Sequence, residues 1–267
     1  MGRKVALTIA GSDPSAGAGI QADIKTFAAM GVYGVSVITA LTAQNSLKVK
    51  DVLAVQPDFV TTQLETLFED IPIAAAKTGM LYDMGVILAV AKFMGNRQDV
   101  KLVVDPVMVS STGGALLKAG AAKALVMDLF PLAHLVTPNI TEASTLVNIK
   151  IHDESSMEEA AVKIARLGPA NVLVKGGHLV DKDAVDVLFA DGEIFKFRKP
   201  RVETNHTHGT GCALSAAITA GLALGRDLVM AIEDAEKYIT LALQSAYSVG
   251  AGPGPVNHMA PLERDKK

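Results

Sequence analysis

The chain has 267 residues, 49% of them hydrophobic and 20% charged, so it can bury a sizeable core and lacks the polar balance of a disordered chain. Lys and Arg total 25 against 28 Asp and Glu, a formal net charge of -3, which argues against a broadly basic nucleic-acid surface. A single cysteine, Cys212, excludes an internal disulfide and a multi-cysteine zinc site, and leaves either a small buried hydrophobe or a reactive thiol.

Hydrophobic spacing predicts alternating strands and helices. Val5 to Ala10 reads as a buried strand, Ile20 to Met30 as a helix, Val35 to Leu41 as a β-branched strand and Pro57 to Phe68 as a helix. A short strand from Ile73 to Ala76 ends at Lys77-Thr78-Gly79, and Met84 to Met94 is helical. Leu102 to Val104 is a strand ending at Asp105-Pro106, Ala115 to Leu129 a helix, and Leu135-Val136 a strand ending at Thr137-Pro138-Asn139. A helix from Ser155 to Leu167 leads into the strand Val172 to Val174. Such repeats imply a mostly parallel sheet covered by helices on both faces. Beyond Asp183 the pattern changes: Val185 to Ala190 and Glu193 to Phe197 form a hairpin about Asp191-Gly192. Helices at about Cys212 to Leu224 and Leu228 to Val249 follow, then an irregular Gly- and Pro-rich tail from Gly250. No linker or internal repeat interrupts the chain, so one domain, 1–267, is expected. The apolar run from Val5 is too short for the core of a signal peptide. The uncharged stretch Gly209 to Gly225 is broken by Thr, Ser and Gly and reads as a buried helix. A cytoplasmic protein without membrane or nucleic-acid partners is expected.

Ligands of open α/β sheets bind beyond the C-terminal strand ends. Six such ends carry polar or glycine residues, at Gly11-Ser12-Asp13, Thr42-Ala43-Gln44-Asn45, Lys77-Thr78-Gly79, Asp105-Pro106-Val107, Thr137-Pro138-Asn139 and Lys175-Gly176-Gly177-His178. Gly17-Ala18-Gly19-Ile20-Gln21-Ala22 fits a dinucleotide fingerprint, but it starts well after its strand and is flanked by Asp13 and Asp23, which would repel a pyrophosphate. The run Thr207-His208-Gly209-Thr210-Gly211-Cys212 opens a helix. Its exposed N–H groups and the helix dipole suit an anion, such as the charge that builds on a transferring phosphoryl group. Cys212 in the first turn should have a lowered pKa. His206, His208 and Cys212 as a zinc site would lack a fourth nearby ligand. Asp105 and Glu142 are better placed to hold Mg²⁺ beside phosphates, and their structural alternatives are a turn before Pro106 and a first-turn carboxylate that complements a helix dipole.

In order, the chain presents Ala10-Gly11-Ser12-Asp13 with Gly17 to Asp23, Thr42 to Asn45, Lys77-Thr78-Gly79-Met80 and Val104 to Val109. Thr137-Pro138-Asn139 with Glu142-Ala143, Val174 to His178, Thr207 to Cys212, and Gly254-Pro255-Val256-Asn257-His258 follow. Over Ala6 to about Met259 this set resembles the hydroxymethylpyrimidine/phosphomethylpyrimidine kinases of thiamine biosynthesis, in the ribokinase-like superfamily. The resemblance implies a three-layer α-β-α ribokinase-like fold of α/β class. It also implies transfer of the γ-phosphoryl of ATP to 4-amino-5-hydroxymethyl-2-methylpyrimidine, and then to its monophosphate, with Mg²⁺. By the same resemblance Gln44 reads the pyrimidine's amino and ring-nitrogen edge, while Gly11, Asp23, Met80 and Val107 line that pocket. Asn139, Glu142, Lys175 and Lys237 serve ATP, and Asp105 and Glu142 the metal. Cys212 stands where most of the superfamily carries an Asp base, behind an anion hole of Gly209, Thr210 and Gly211. Ser110 to Ala119 and Val180 to Asp183 are candidates to close over the substrate, and a homodimer is implied. Relatives often place a Lys or Thr with Ser-Gly after the Asp-Pro motif; here Ser110-Ser111-Thr112-Gly113 stands there. Two alternatives are a pyridoxal kinase on the same fold and a non-catalytic pyrimidine- or nucleotide-binding regulator.

Overall fold

A computed structural model describes residues 2–108, 116–118, 120–177 and 183–264. Val109, the Ser110-Ser111-Thr112-Gly113 run, His178, and most of the two candidate closing segments lie outside the described residues.

From the N-terminus the elements are β1 (Val5–Ser12), α1 (Gly19–Ala29), β2 (Tyr33–Gln44), β3 (Val49–Ala54), α2 (Pro57–Asp70), β4 (Ile73–Thr78), α3 (Met84–Met94), β5 (Lys101–Val104), α4 (Ala121–Ala124), β6 (Leu135–Val136), α5 (Ile140–Val147), α6 (Glu154–Ala165), β7 (Val172–Val174), β8 (Asp183–Ala190), β9 (Glu193–Pro200), α7 (Thr210–Ala223), α8 (Leu228–Gln244) and α9 (Ala260–Arg264). The described strands form a nine-stranded sheet in the order β3-β2-β1-β4-β5-β6-β7-β8-β9. The six central strands pair in parallel; β3, β8 and β9 run antiparallel at the two edges.

Strand alternation builds two cores. Val5, Leu7 and Ile9 of β1 face one helical layer with Val60 and Leu64 of α2, Val86 and Ile87 of α3 and Met157 of α6. Ala6 faces the other layer, as do Val103 of β5, Leu135 of β6 and Leu173 of β7, against Phe27 of α1 and the buried residues of α7 and α8. The expected three-layer arrangement is therefore present. In α7 every residue from Ala213 to Ala223 is buried, and most are Ala or Gly. A side chain at Gly221 would meet Ala231 of α8 at 2.9 Å, so small residues set the close approach of these helices. No described helix is long and apolar enough to cross a membrane.

The structure departs from the sequence reading in four places. β2 does not stop at Leu41 but continues to Gln44 and turns back as β3, because this edge hairpin is half exposed and its alternation is blurred by Lys48, Lys50 and Asp51. The helix expected from Ala115 begins at Ala121, after Gly120 in the left-handed conformation (φ 82°), and passes into a π-helical turn over Leu125–Leu129. α5 adds a short helix where only the position of Glu142 pointed to one. The tail ends in α9. The Asp191-Gly192 hairpin forms as expected, with φ values of 51° and 82° matching a primed turn.

Phe27 is fully enclosed between α1 and β2, and its ring fills the space above Gly34. Phe27→Ala should lower the unfolding free energy by about 3–5 kcal/mol, measured by urea denaturation; a loss below about 1 kcal/mol would mean this core layer collapses around the void.

Candidate active site

The site residues sit where parallel strands end, as the sheet topology requires. Asp105 follows β5, Asn139 follows β6 and Lys175 follows β7. Lys175 donates its backbone N–H to Pro138 O at 2.9 Å and bridges to Asn139, which locks two strand ends together. Its side chain reaches across to Asp105, with Nζ 3.0 Å from Oδ1. Asp105 is 3% exposed, and its Oδ2 accepts from Ser215 of α7 at 3.2 Å. Asn139 caps α5: its Oδ1 accepts from Glu142 N at 2.9 Å while Glu142 Oε2 accepts from Asn139 N at 2.9 Å. Glu142 Oε1 accepts from Met108 N at 3.1 Å, which ties the segment after β5 to the same cluster.

Burial works against charge on Lys175, but Asp105 and Glu142 overcome it and hold the ammonium above the ordinary lysine value. Burial, with Asp105 as a like-charge neighbour, pushes Glu142 above the usual carboxylate range, against Lys175 and two backbone N–H groups. One cation thus serves two carboxylates. Each carboxylate oxygen already takes one protein donor and keeps lone-pair capacity for another partner. That is the donor set Mg²⁺ uses beside phosphates, where one or two carboxylates suffice and water and phosphate complete the shell. Among the described residues no group of three or more His, Cys, Asp and Glu forms an all-protein cage.

The anion loop faces this cluster. Gly209 is the left-handed N-cap of α7 (φ 80°), and a Cβ there would run into the carbonyl of Gly17. A Cβ on Gly17 would in turn strike the His208 ring. The two glycine loops therefore interlock, and His208 Nε2 pins them by pairing with Asp13 Oδ2 at 3.1 Å. Burial alone would raise Asp13; hydrogen bonds from His208, Ser15 and Ala18 outweigh it and hold the carboxyl below its usual range. The loop's other side is fixed by the tail, through His208 N donating to Gly254 O at 3.1 Å and Gly254 N donating to His206 Nδ1 at 3.0 Å. The N–H groups of Gly211 and Cys212 have no acceptor among the described residues. A Cβ on Gly211 would lie 3.3 Å from Lys175 Nζ, so the loop and the cation adjoin.

Beside the anion loop lies a small apolar cluster of Ala40, Met80 and Leu116, with Val52, Tyr82 and Val107 packed on it. Gly11 approaches Met80 closely enough that a Cβ would stand 3.2 Å from Sδ. Gln44, half buried on the β2–β3 hairpin, accepts from Thr42 Oγ1 at 3.3 Å through Oε1. Gly11, Met80 and Val107 thus fall in one region, while Gln44 is tied through Thr42 to the carbonyl of Ser12 at the end of β1. Asp23 does not share it: it is fully buried under the site, bonded to Lys77 and Thr8. Among the described residues Lys237 pairs with Asp234 of its own helix at 3.5 Å, with 73% of its side chain exposed, and no ion pair links it to the other described site residues. The zinc alternative dissolves, since His206 turns to Gly254 and His208 to Asp13.

The chain matches the sequence family described as phosphomethylpyrimidine kinase over residues 13–257. It belongs to that family. The Haemophilus influenzae hydroxymethylpyrimidine/phosphomethylpyrimidine kinase is 45% identical over 261 residues, 96% of this chain and 97% of that one. The Geobacter sulfurreducens thiamine biosynthesis bifunctional protein ThiED is 49% identical over 257 residues, but the match spans only 52% of that longer protein. Among solved structures, Clostridium difficile phosphomethylpyrimidine kinase superposes with a TM-score of 0.80 at 44% identity, over 89% of this chain and 98% of that one. An ADP complex of Bacillus subtilis pyridoxal kinase superposes with a TM-score of 0.89 at 38% identity, over 97% and 98%. The fold is thus that of the ribokinase-like kinases.

One expectation about this family member is overturned. Cys212 was expected to have a lowered pKa at a helix start. Burial instead pushes the thiol up to about 11; Lys77 and a hydrogen bond from Gly19 N–H pull it down, but Asp23 and Asp105 add to the rise. The helix start falls short because the sulfur is shut away from water, with two carboxylates adding to the rise. The neutral thiol therefore prevails at pH 8. Alkylation of the ligand-free protein by iodoacetamide should therefore quicken steadily with pH to about 11; a plateau reached by pH 8 would contradict this placement.

Lys77 and Ser215 are the site-region residues that motif reading did not assign a role. A lysine that closes the apolar run Ile73-Ala74-Ala75-Ala76 was the available signal for the first. Nothing in the Ala- and Ser-bearing run after Cys212 marked the second.

Proposed function

We propose that this chain, as one catalytic domain, transfers the γ-phosphoryl of ATP to the hydroxymethyl group of 4-amino-5-hydroxymethyl-2-methylpyrimidine and then to the monophosphate. The observation that carries this reading is the union of phosphate and ring features in one place. Lys175 adjoins the open N–H groups of Gly211 and Cys212, and Met108, whose N–H binds Glu142, follows Val107 of the apolar pocket.

The ring lies against Met80 and Val107 beside Gly11, where the missing side chain leaves room. The Gln44 amide both donates and accepts, as an aminopyrimidine edge requires. On the phosphate side, Lys175 and the Gly209-Thr210-Gly211 loop hold the γ-phosphoryl, and Asn139 orders the helix that presents Glu142. A preorganised donor of this kind contributes about 2.7–4 kcal/mol to the barrier. Asp105 and Glu142 would hold Mg²⁺, which neutralises charge on the phosphate oxygens when bound. Cys212 receives the hydroxyl proton. Phosphoryl transfer passes through a loose transition state, so the proton can leave late and a scarce thiolate is tolerated. Lys237 is not given a role in ATP binding.

The chain works in the cytoplasm as a homodimer, a reading supported by its use of ATP and by the exposed apolar Leu41, Leu53 and Phe59 along the β3 edge and the start of α2. A second reading, pyridoxal phosphorylation, is favoured by the TM-score of 0.89 with Bacillus subtilis pyridoxal kinase.

A coupled ADP-release assay with the pyrimidine, its monophosphate and pyridoxal separates the readings. The pyrimidine should have the highest kcat/KM, and the signal should vanish with EDTA and return with Mg²⁺; a large preference for pyridoxal would overturn the assignment. Cys212→Ala should lower kcat by about 10²–10⁴ with little change in KM. Near wild-type turnover would remove its role as base.

A further inference from the structure

Strand β8 carries a carboxylate in its interior: Asp186 is 2% exposed. It shares a face with Leu188 and Ala190, which pack on the α7 and α8 layer, while Val185 and Val187 belong to the opposite core. A carboxylate in such an apolar row is costly unless its oxygens find partners. Here Oδ1 accepts the backbone N–H of Gly176 at 2.7 Å, and Oδ2 lies 3.5 Å from Nζ of Lys199 on β9. Lys199 also pairs with Glu236 of α8, so the cation that steadies Asp186 is itself tied to the helical layer.

Gly176 directly follows Lys175, at the point where β7 parts from β8. Their ladder runs through Val172 with Phe189, Leu173 with Leu188 and Val174 with Val187. The next pair in register would be Lys175 with Asp186. Instead the Lys175 N–H turns to Pro138 O at 2.9 Å, beyond the end of β6, and the Gly176 N–H goes to the Asp186 side chain. Gly176 passes so close to β8 that a Cβ would run into the carbonyl of Val185. Arg201, just past β9, holds the following residue by donating Nη1 to Gly177 O at 2.7 Å. Planar peptides leave Lys175 two soft backbone angles: φ, which orients its Cα on its own N–H, and ψ, which orients the N–H of Gly176. The bonds to Pro138 and Asp186 therefore fix both. From a Cα held in this way the side chain reaches Asp105 at 3.0 Å and lies beside Gly211.

We propose that Asp186 is a positioning residue for the Lys175 ammonium: by taking the Gly176 N–H in place of a strand carbonyl, it turns the chain so that the lysine points at the phosphate site. Asp186 touches no reacting atom and acts through the backbone of its neighbour. Lys199 keeps the carboxylate turned so that Oδ1 faces Gly176. The consequence for phosphoryl transfer rests on the kinase reading, but the backbone relation is measurable without substrate.

Two readouts on the full chain test this: amide hydrogen exchange of Gly176 by NMR without ligand, and kcat and KM for ATP by ADP release. The proteins compared are wild type, Asp186→Ala, Asp186→Asn, Lys175→Gln and the double variant Asp186→Ala/Lys175→Gln. In wild type the Gly176 amide should exchange at least about 10²-fold more slowly than an unstructured amide. Asp186→Ala should lose most of that protection, and Asp186→Asn should keep it because an acceptor oxygen remains. Asp186→Ala should lower kcat/KM for ATP about 10–100-fold, and Asp186→Asn should stay within about fivefold of wild type. In the Lys175→Gln background Asp186→Ala should cost less than about threefold more, because the two residues act as one unit. ATP affinity by calorimetry gives the same comparison where turnover is too slow to follow. Equal losses in both backgrounds would mean a merely structural role and would overturn the proposal. So would a wild-type Gly176 amide that exchanges like open chain, a result that does not depend on Asp186→Ala folding. Absence of ADP release by the wild type with every substrate would sink the kinase reading instead, while Gly176 exchange in the two Asp186 variants would still decide the backbone relation.

Discussion

The ammonium of Lys175 pairs with Asp105 and offsets the charge of Glu142, and the site's electrostatics depend on it. Without it two carboxylates would face each other at the strand ends, in the place meant for polyanionic phosphate. With it, Asp105 is paired at 3.0 Å and Glu142 is offset while still carrying two backbone hydrogen bonds. The same residue ties the ends of β6 and β7 through its backbone, so the cation is set by the sheet and not by a loose side chain. This explains how a chain of net charge -3 can handle phosphate without a basic surface. Positive potential comes from one largely enclosed lysine, a helix start and open N–H groups, in a setting where each counts for more than in water.

The second constraint is steric. Gly17 and Gly209 allow the loop after β1 and the loop before α7 to touch backbone to backbone, and the Asp13–His208 pair fastens them. The tail, anchored at Gly254, braces the anion loop from its other side. Gly252 N also donates to Ser46 Oγ at 3.2 Å at the tip of the β2–β3 hairpin. The β2–β3 hairpin and the loop before α7 are thus joined through one strap. Such bracing matters because catalysis by position fails when groups drift by about 1 Å.

Much of this was legible in the sequence. The parallel sheet followed from short β-branched runs alternating with helical spacing, the strand-end rule placed Asp105, Asn139 and Lys175 along one rim, and Glu142 stood out as a carboxylate in the first turn of a helix. What failed was environmental. The β3 strand has weak alternation because it lies on an edge, and nothing in Val49-Lys50-Asp51-Val52 marks it as paired. Asp23 reads as a pocket residue from its motif, yet its carboxylate faces downward to Lys77, a partner 54 positions away. Cys212 reads as activated from its helix turn, yet burial opposes this first and carboxylates from α1 and the end of β5 add to it, which no local pattern reveals. Local signals gave the position of each group; long-range neighbours gave its charge state.

The claim that the Lys175 cation makes the strand-end carboxylates compatible with phosphate is tested most directly by Lys175→Gln. Circular dichroism confirms that the fold is kept, and kcat/KM is measured with ATP and the pyrimidine. A fall of at least about 10²–10³-fold is expected, with weaker ATP binding by calorimetry because the site becomes net negative. Activity and ATP affinity within about fivefold of wild type would contradict the account.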